Sequence, residues 1–123
     1  MARILFVDDD PNTLLTLSKS AQILGHQALS AHSGQEALDL ATSQSPDLIV
    51  TDMRLPDVDG LMLIRRLRQD VRTAEIAIVV LSASPEFDAA ELARTAGANE
   101  FIAKPVRLQT LQDTIERYAG VQD

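Results

Sequence analysis

Five short aliphatic segments alternate with longer stretches whose apolar residues recur at helical spacing, and this alternation constrains the fold more than any other feature. The aliphatic segments have the length of strands and span 3–7, 26–31, 48–51, 76–81 and 100–103. Strict alternation of strand and helix predicts a parallel sheet, because each right-handed crossover packs its helix back onto the sheet. We therefore expect one α/β domain with a doubly wound, five-stranded parallel sheet and helices on both faces.

The helical stretches carry start and stop signals of their own. Asp10 and Pro11 form an N-cap followed by a proline at the first helical position, and Ser33 and Glu36 have the spacing of a capping box. Gly25 is placed to end the first helix. The other three helices are predicted over 60–69, from Ser84-Pro85 to the residue before Gly97, and along the stripe of Leu108, Leu111, Ile115 and Tyr118.

Composition and charge limit the function. Hydrophobic residues make up 46% of the 123 residues, which is enough for one core, and the absence of cysteine excludes a disulfide framework and thiolate chemistry. A net charge of −7 argues against direct binding to nucleic acid or anionic lipid, both of which need clustered basic residues. The first acid comes too early for a signal peptide, and no apolar run approaches the length of a membrane span. We expect a soluble, cytoplasmic protein.

Polar residues follow four of the five predicted strands. Because the carboxyl ends of parallel strands share one edge of a sheet, these residues are expected to meet in a crevice there. Asp52 stands out, because it ends the very apolar run 48–51 and a charge at the tip of a buried strand is costly unless it is used. The residues expected at this edge are Asp8, Asp9, Asp10, Asp52, Ser82 and Lys104.

The acidic residues of this set predict a bound cation. Asp10 is explained by its role as a helix cap, but Asp8, Asp9 and Asp52 would repel one another. Each like-charge pair costs about 3 kcal/mol at roughly 5 Å and an effective dielectric near 20. An all-oxygen ligand set suits Mg²⁺, whereas the zinc type of site needs His or Cys clusters. His26 and His32 flank the second strand and are interpreted as ordinary surface or edge residues.

This set of residues points to phosphoryl transfer. A carboxylate at a fixed position can attack phosphorus and form an aspartyl phosphate. Phosphoryl transfer depends mostly on positioning and on neutralising the phosphoryl oxygens, which a metal ion and the ammonium of Lys104 could do. The hydroxyl of Ser82 could donate a hydrogen bond to a remaining oxygen. Asp52 is therefore predicted to be the acceptor.

Nearly the whole chain resembles the receiver domain of two-component response regulators. The resemblance lies in four segments in the expected order: "ILFVDDD", "LIVTDMRLPDVDG", "IVVLSA" and "GANEFIAKP". It implies a flavodoxin-like (βα)5 three-layer sandwich with strand order 2-1-3-4-5 and a single receiver domain over residues 1–123. It also implies a signalling switch rather than an enzyme with a separate substrate, with self-catalysed phosphotransfer and dephosphorylation.

The resemblance further implies a role for each residue at the strand ends. Asp52 would be the phosphoacceptor and would act with Ser82 and Lys104 as the catalytic set. Ser82 and Phe101 would form the switch, and the Lys104–Pro105 bond would be cis. The implied ligands of Mg²⁺ are Asp8, Asp9, Asp52 and the backbone carbonyl of Arg54.

The implied partners are proteins. A sensor histidine kinase, or a phosphotransfer protein, would supply the phosphoryl group from a phosphohistidine. The face built from the fourth helix, fifth strand and fifth helix would contact a downstream target, an output domain or a second copy, with a smooth surface formed by Ala89, Ala90, Ala93 and Ala96.

Two other functions remain open at this stage. One is an interaction module that works without phosphorylation. The other is a phosphohydrolase of the dehalogenase-like type, but such enzymes have a second acid two residues after the nucleophile, where this chain has Arg54.

Overall fold

The computed structural model describes residues 1–83 and 89–119, and in that part of the chain strands and helices alternate strictly. The strands are β1 (Arg3–Val7), β2 (Gln27–Ala31), β3 (Leu48–Asp52), β4 (Ala77–Ser82) and β5 (Glu100–Ala103). The helices are α1 (Pro11–Ile23), α2 (Gly34–Gln44), α3 (Gly60–Gln69), α4 (Ala89–Ala96) and α5 (Leu108–Ala119). Every predicted strand is present, with ends that shift by no more than one residue. The predicted start of α4 at Ser84-Pro85 lies outside the described residues.

All five strands are parallel and lie in the order β2-β1-β3-β4-β5. This confirms the predicted strand order. The pairing places Val7 of β1 opposite Thr51 of β3, and Ser82 of β4 opposite Ala103 of β5. The carboxyl ends of β1, β3, β4 and β5 therefore finish at one edge of the sheet.

The sheet is buried on both faces, as its near-continuous apolar strands predict. On one face, Leu5 and Ile49 pack with residues of α2, α3 and α4. On the other face, Ile4 and Phe6 pack with residues of α1 and α5. The result is the expected three-layer sandwich, with one core on each face of the sheet. None of the helices in the described ranges combines the length and apolar character needed to span a bilayer.

Three of the four alanines predicted to form a smooth outer surface on α4 face the core, and the fourth, Ala90, is half-buried, so that prediction is wrong. Ala89, Ala93 and Ala96 are all buried, and Ala93 is completely inaccessible. Alanine side chains allow the helix to lie close against the sheet, which explains why that face is turned inward. The outer face carries larger side chains, including the exposed Leu92 and Arg94.

The stripe predicted for α5 is only partly buried. Leu111 and Ile115 lie in the core, but Leu108 is 46% exposed because it is the first residue of the helix and lies beyond the core residues. The predicted caps are present: the Asp10 carboxylate accepts from the backbone N–H of Asn12. Ser33 caps α2 in the same way by accepting from the N–H of residue 36.

Arg68 of α3 joins four backbone segments at the opposite edge of the sheet. Its guanidinium donates to the carbonyl oxygens of Gly97 at 3.0 Å, Ala74 at 2.8 Å and Ile76 at 2.6 Å. It also donates to Asn99 Oδ1 at 3.0 Å, an atom that also accepts from the backbone N–H at the start of β4. One side chain therefore ties α3 to the end of α4 and the starts of β4 and β5.

We expect Arg68→Ala to lower the free energy of unfolding by about 2 to 3 kcal/mol, because partly buried carbonyls lose a charged donor. Arg66→Ala is the matched control: Arg66 lies on the same helix but is exposed, and its loss should cost less than about 0.5 kcal/mol. Urea unfolding of the two variants measures the difference. Equal stabilities would show that the Arg68 contacts contribute little.

Candidate functional site

The residues predicted at the strand ends do meet at one edge of the sheet. Asp8 directly follows β1, Asp52 is the last residue of β3, and Lys104 directly follows β5. The ammonium Nζ of Lys104 lies 2.6 Å from Asp8 Oδ2 and 3.2 Å from Asp52 Oδ2. Ser82, the last residue of β4, lines a small cleft beside Asp52. The residues that line this cleft are Asp52, Arg54, Ser82 and Ala83.

Lys104 is held by its backbone as well as by its side chain. Its N–H donates to the carbonyl oxygen of Ser82 at 2.8 Å, which continues the pairing of β4 and β5 past the end of the strand. The Lys104–Pro105 peptide bond is cis, as expected. Burial alone would lower the pKa of Lys104, but the hydrogen bond to Asp8 and the charge of Asp52 outweigh it, so the pKa lies above its usual value. The ammonium is therefore charged and bridges the two acids.

Three carboxylates form a compact group of oxygens. Asp8, Asp9 and Asp52 each offer one carboxylate oxygen, and these atoms lie within 4.8 Å of one another. Asp8 is buried, Asp9 is exposed and Asp52 is intermediate, so the group opens to solvent on one side. A set of carboxylate oxygens with an open side fits a hard cation such as Mg²⁺, which keeps several water ligands.

Asp10 is outside this group, as its interpretation as a cap predicts. Its carboxylate accepts from the N–H of Asn12 at 3.0 Å and from the hydroxyl of Thr13 at 2.9 Å, both on α1. The backbone N–H of Asp10 donates to Asp8 Oδ1 at 2.9 Å, so the cap also fixes the buried carboxylate.

The loop between β3 and α3 brings Arg54 next to the acceptor candidate. The N–H of Arg54 donates to Asp52 Oδ1 at 3.4 Å, which is long for a hydrogen bond. Arg54 also pairs with Asp59 as an isolated antiparallel bridge. This bridge closes the loop at its base.

The proposed switch residues lie beside the site, in the neighbouring strands. Ser82 is 8% exposed. Phe101, on β5 opposite Val80, is half-buried and packs against the core beneath α2, α3 and α4. Its intermediate burial leaves it in contact with both core and solvent. The two histidines have partners outside the site: His26 Nδ1 accepts from the backbone N–H of residue 2, and His32 contacts residue 36.

One contact near the site is not visible in the sequence. Both carboxylate oxygens of Asp57, in the loop after β3, accept backbone N–H groups at the start of α2, from Gly34 at 2.8 Å and from Gln35 at 2.9 Å. No local sequence pattern indicates that Asp57 has partners more than twenty positions earlier.

Comparison with known proteins decides the family. The model of the response regulator receiver domain matches residues 4–116. The chain belongs to this family. It is 32% identical over 115 residues to protein PilH of Pseudomonas aeruginosa, covering 94% of this chain and 95% of that protein.

Solved receiver structures agree with this assignment. A response regulator from Chloroflexus aurantiacus superposes with a TM-score of 0.91 at 32% identity, covering 98% of both chains. The receiver domain of a sensor histidine kinase from Pseudomonas aeruginosa, solved with magnesium in its active-site cleft, superposes with a TM-score of 0.89 at 29% identity, covering 98% of both chains. The fold and the family are therefore those that the four sequence segments indicated.

We expect Lys104→Met to destabilise the chain by about 2 kcal/mol in Mg²⁺-free buffer, because buried Asp8 loses its charged hydrogen-bond donor. Added Mg²⁺ should then raise the melting temperature more in this variant than in the parent, since the acids have lost their internal partner. Lys19→Met, at an exposed position of α1, is the control and should behave like the parent. Melting curves that do not distinguish the two variants would contradict the role of Lys104.

Proposed function

We propose that this receiver domain accepts a phosphoryl group on Asp52 from the phosphohistidine of a sensor histidine kinase or phosphotransfer protein, in a reaction that needs Mg²⁺. The observation that carries the proposal is the ammonium of Lys104 between Asp8 and Asp52, beside a group of three carboxylates. We further propose that residues 1–123 form a single receiver domain.

The transfer uses the carboxylate of Asp52 as the nucleophile. One of its oxygens forms a bond to phosphorus while the bond from phosphorus to the histidine nitrogen breaks, and the histidine retains the electron pair of that bond. Lys104 is placed to shift its contact from the acid to a phosphoryl oxygen. Ser82, in the cleft beside Asp52, is placed to donate its hydroxyl hydrogen to another.

The acidic group provides the ligands for the metal. Asp8, Asp9, Asp52 and the backbone carbonyl of Arg54 would hold Mg²⁺, which supplies positive charge to the phosphoryl oxygens when it is bound. The donor set supports this assignment, because it offers only oxygen. The magnesium ion in the cleft of the similar Pseudomonas receiver domain also supports a metal site here.

We infer that the domain is a switch that works in the cytoplasm, where it catalyses its own phosphorylation and dephosphorylation and has no separate substrate. The phosphoryl group adds strong acceptors beside Ser82, so that hydroxyl would move toward it. Phe101 could then turn inward, since it already packs against the core on one side. Ser82 and Phe101 are thus the proposed switch.

The face of α4, β5 and α5 would carry the signal to a downstream target, an output domain or a second copy of the chain. On this face Glu100 Oε1 accepts from Arg117 Nη1 at 2.6 Å and from the hydroxyl of Tyr118 at 2.7 Å. These hydrogen bonds join β5 to α5, so a movement of β5 would also displace α5. The exposed Leu92 and Leu108 add apolar surface on α4 and α5.

An interaction module that ignores phosphorylation is the second candidate. Such a module would not need a lysine and three acids in one place. The convergence of Lys104 with the three acids therefore favours the phosphoacceptor function. The dehalogenase-like reaction has less support, because Arg54 occupies the position of the second acid.

We expect the chain to take up one phosphoryl group from a phosphohistidine kinase, and from a small phosphodonor such as acetyl phosphate, only when Mg²⁺ is present. Borohydride reduction followed by mass spectrometry should place the modification on Asp52. Asp52→Asn should remove it, whereas Asp59→Asn, at the cap of α3 in the same loop, should not. Full labelling of Asp52→Asn would refute the assignment.

Beryllofluoride with Mg²⁺, which imitates the phosphoryl group, should change amide hydrogen exchange in β4, β5 and α5 as well as around Asp52. We expect Ser82→Ala to reduce the changes in β5 and α5, because the hydroxyl that links the phosphoryl group to Phe101 is missing. Exchange that changes only near Asp52 would show that the domain is modified without this switch.

A further inference from the structure

The loop between β3 and α3 is fixed at its base. The N–H of Gly60 donates to the carbonyl oxygen of Met53 at 2.7 Å, and Arg54 pairs with Asp59 just above it. The two backbones are so close that a Cβ on Gly60 would lie 2.8 Å from the Cα and carbonyl oxygen of Met53. The base therefore joins the two ends of the loop, so a displacement of the tip, residues 55–58, is transmitted to Arg54.

The tip is fixed by a second, separate contact. Asp57 directs both carboxylate oxygens to the first turn of α2, where it accepts from Gly34 and Gln35. The next residue, Val58, packs so closely on Gly34 that a Cβ there would come within 2.2 Å of Val58 Cγ2. The hydrogen bonds from Gln35 and Gly34 lower the pKa of Asp57, so the carboxylate keeps its charge in neutral solution.

Asp57 helps Ser33 to cap α2, because the first turn of a helix has several N–H groups without a partner, but capping is not its only effect. Ser33 already caps the helix by accepting from the N–H of Glu36, at 3.2 Å. Asp57, which lies on another loop, accepts hydrogen bonds from the N–H groups of the two residues before Glu36. Its particular effect is to join the loop after β3 to the first turn of α2, the helix that precedes β3 in the chain.

The loop held in this way carries Arg54, whose N–H reaches Asp52 only at 3.4 Å. A small displacement of the loop would break that hydrogen bond and move the neighbouring carbonyl. We propose that Asp57 is a positioning residue: by tying the loop tip to α2 it keeps the backbone of Arg54 beside Asp52 and so sets the affinity for Mg²⁺. This inference rests on the proposed function, in which the Arg54 carbonyl is a metal ligand.

The test measures Mg²⁺ binding to the full chain by isothermal titration calorimetry. We expect Asp57→Ala to weaken binding by about tenfold, the usual size of effect when a residue that orients a metal ligand is lost. Two controls separate positioning from other effects. Ser33→Ala removes the local cap of α2 but leaves the loop contact, and Asp39→Ala removes one negative charge from α2 without touching the loop. Both should bind Mg²⁺ like the parent.

Repeating the titration at high salt separates position from charge, because screening removes long-range attraction between an exposed carboxylate and the ion. The weakening in Asp57→Ala should persist there. In phosphorylation assays this variant should need about tenfold more Mg²⁺ for half-maximal labelling and should approach the parent's rate at saturating Mg²⁺. Asp57→Asn, which keeps one acceptor oxygen, should lie between the two, and it serves as the test if the alanine variant does not fold.

Two results would overturn the inference. If Asp57→Ala binds Mg²⁺ as tightly as Asp39→Ala, the loop does not depend on Asp57, although the proposed function stands. If the parent chain itself binds no Mg²⁺, both the inference and the metal-dependent function fail.

Discussion

Parallel strands that end together force like charges into one place, and the ammonium of Lys104 makes that arrangement tolerable. Asp8 is almost completely buried and would be costly without the contact at 2.6 Å. The same ammonium contacts Asp52, the last residue of β3. Lys104 therefore links the ends of β1, β3 and β5. Three carboxylates against one ammonium still leave an excess of negative charge, which a divalent cation would balance.

The rest of the structure keeps these groups in place. Apolar residues on both faces of the sheet fix the strands, and local caps fix the loops that follow them. Asp10 caps α1 and at the same time donates its N–H to Asp8, so one turn orients a helix and a buried acid together. The tie between Asp57 and α2 holds the third loop in a comparable way. The outer strand β5 has no buried residue, and it carries Phe101, one of the two proposed switch residues.

The sequence predicted the sheet and the edge at which the site residues meet, because both follow from local patterns. Aliphatic runs mark buried strands, alternation with helices makes them parallel, and parallel strands place their following residues together. The outward face proposed for α4 was wrong, because a stripe of alanines shows which residues share a face but not whether that face packs inward. The contacts of Asp57 and Arg68 could not be predicted from the sequence, for another reason. Both partners of Asp57, and the Arg68 partners Gly97 and Asn99, lie more than twenty residues away in sequence, and a single polar side chain carries no sign of such a contact. The individual roles predicted for the site residues all stay predictions; these residues are Asp8, Asp9, Asp52, Arg54, Ser82, Phe101 and Lys104.

The most direct test is a crystal structure grown with Mn²⁺, which substitutes for Mg²⁺ and can be located by its anomalous scattering. The account predicts one strong anomalous peak within bonding distance of carboxylate oxygens from Asp52 and from Asp8 or Asp9, and of the carbonyl oxygen of Arg54, with Lys104 displaced from at least one acid. Saturating Mn²⁺ with no peak there, and with Lys104 still bridging Asp8 and Asp52, would contradict it.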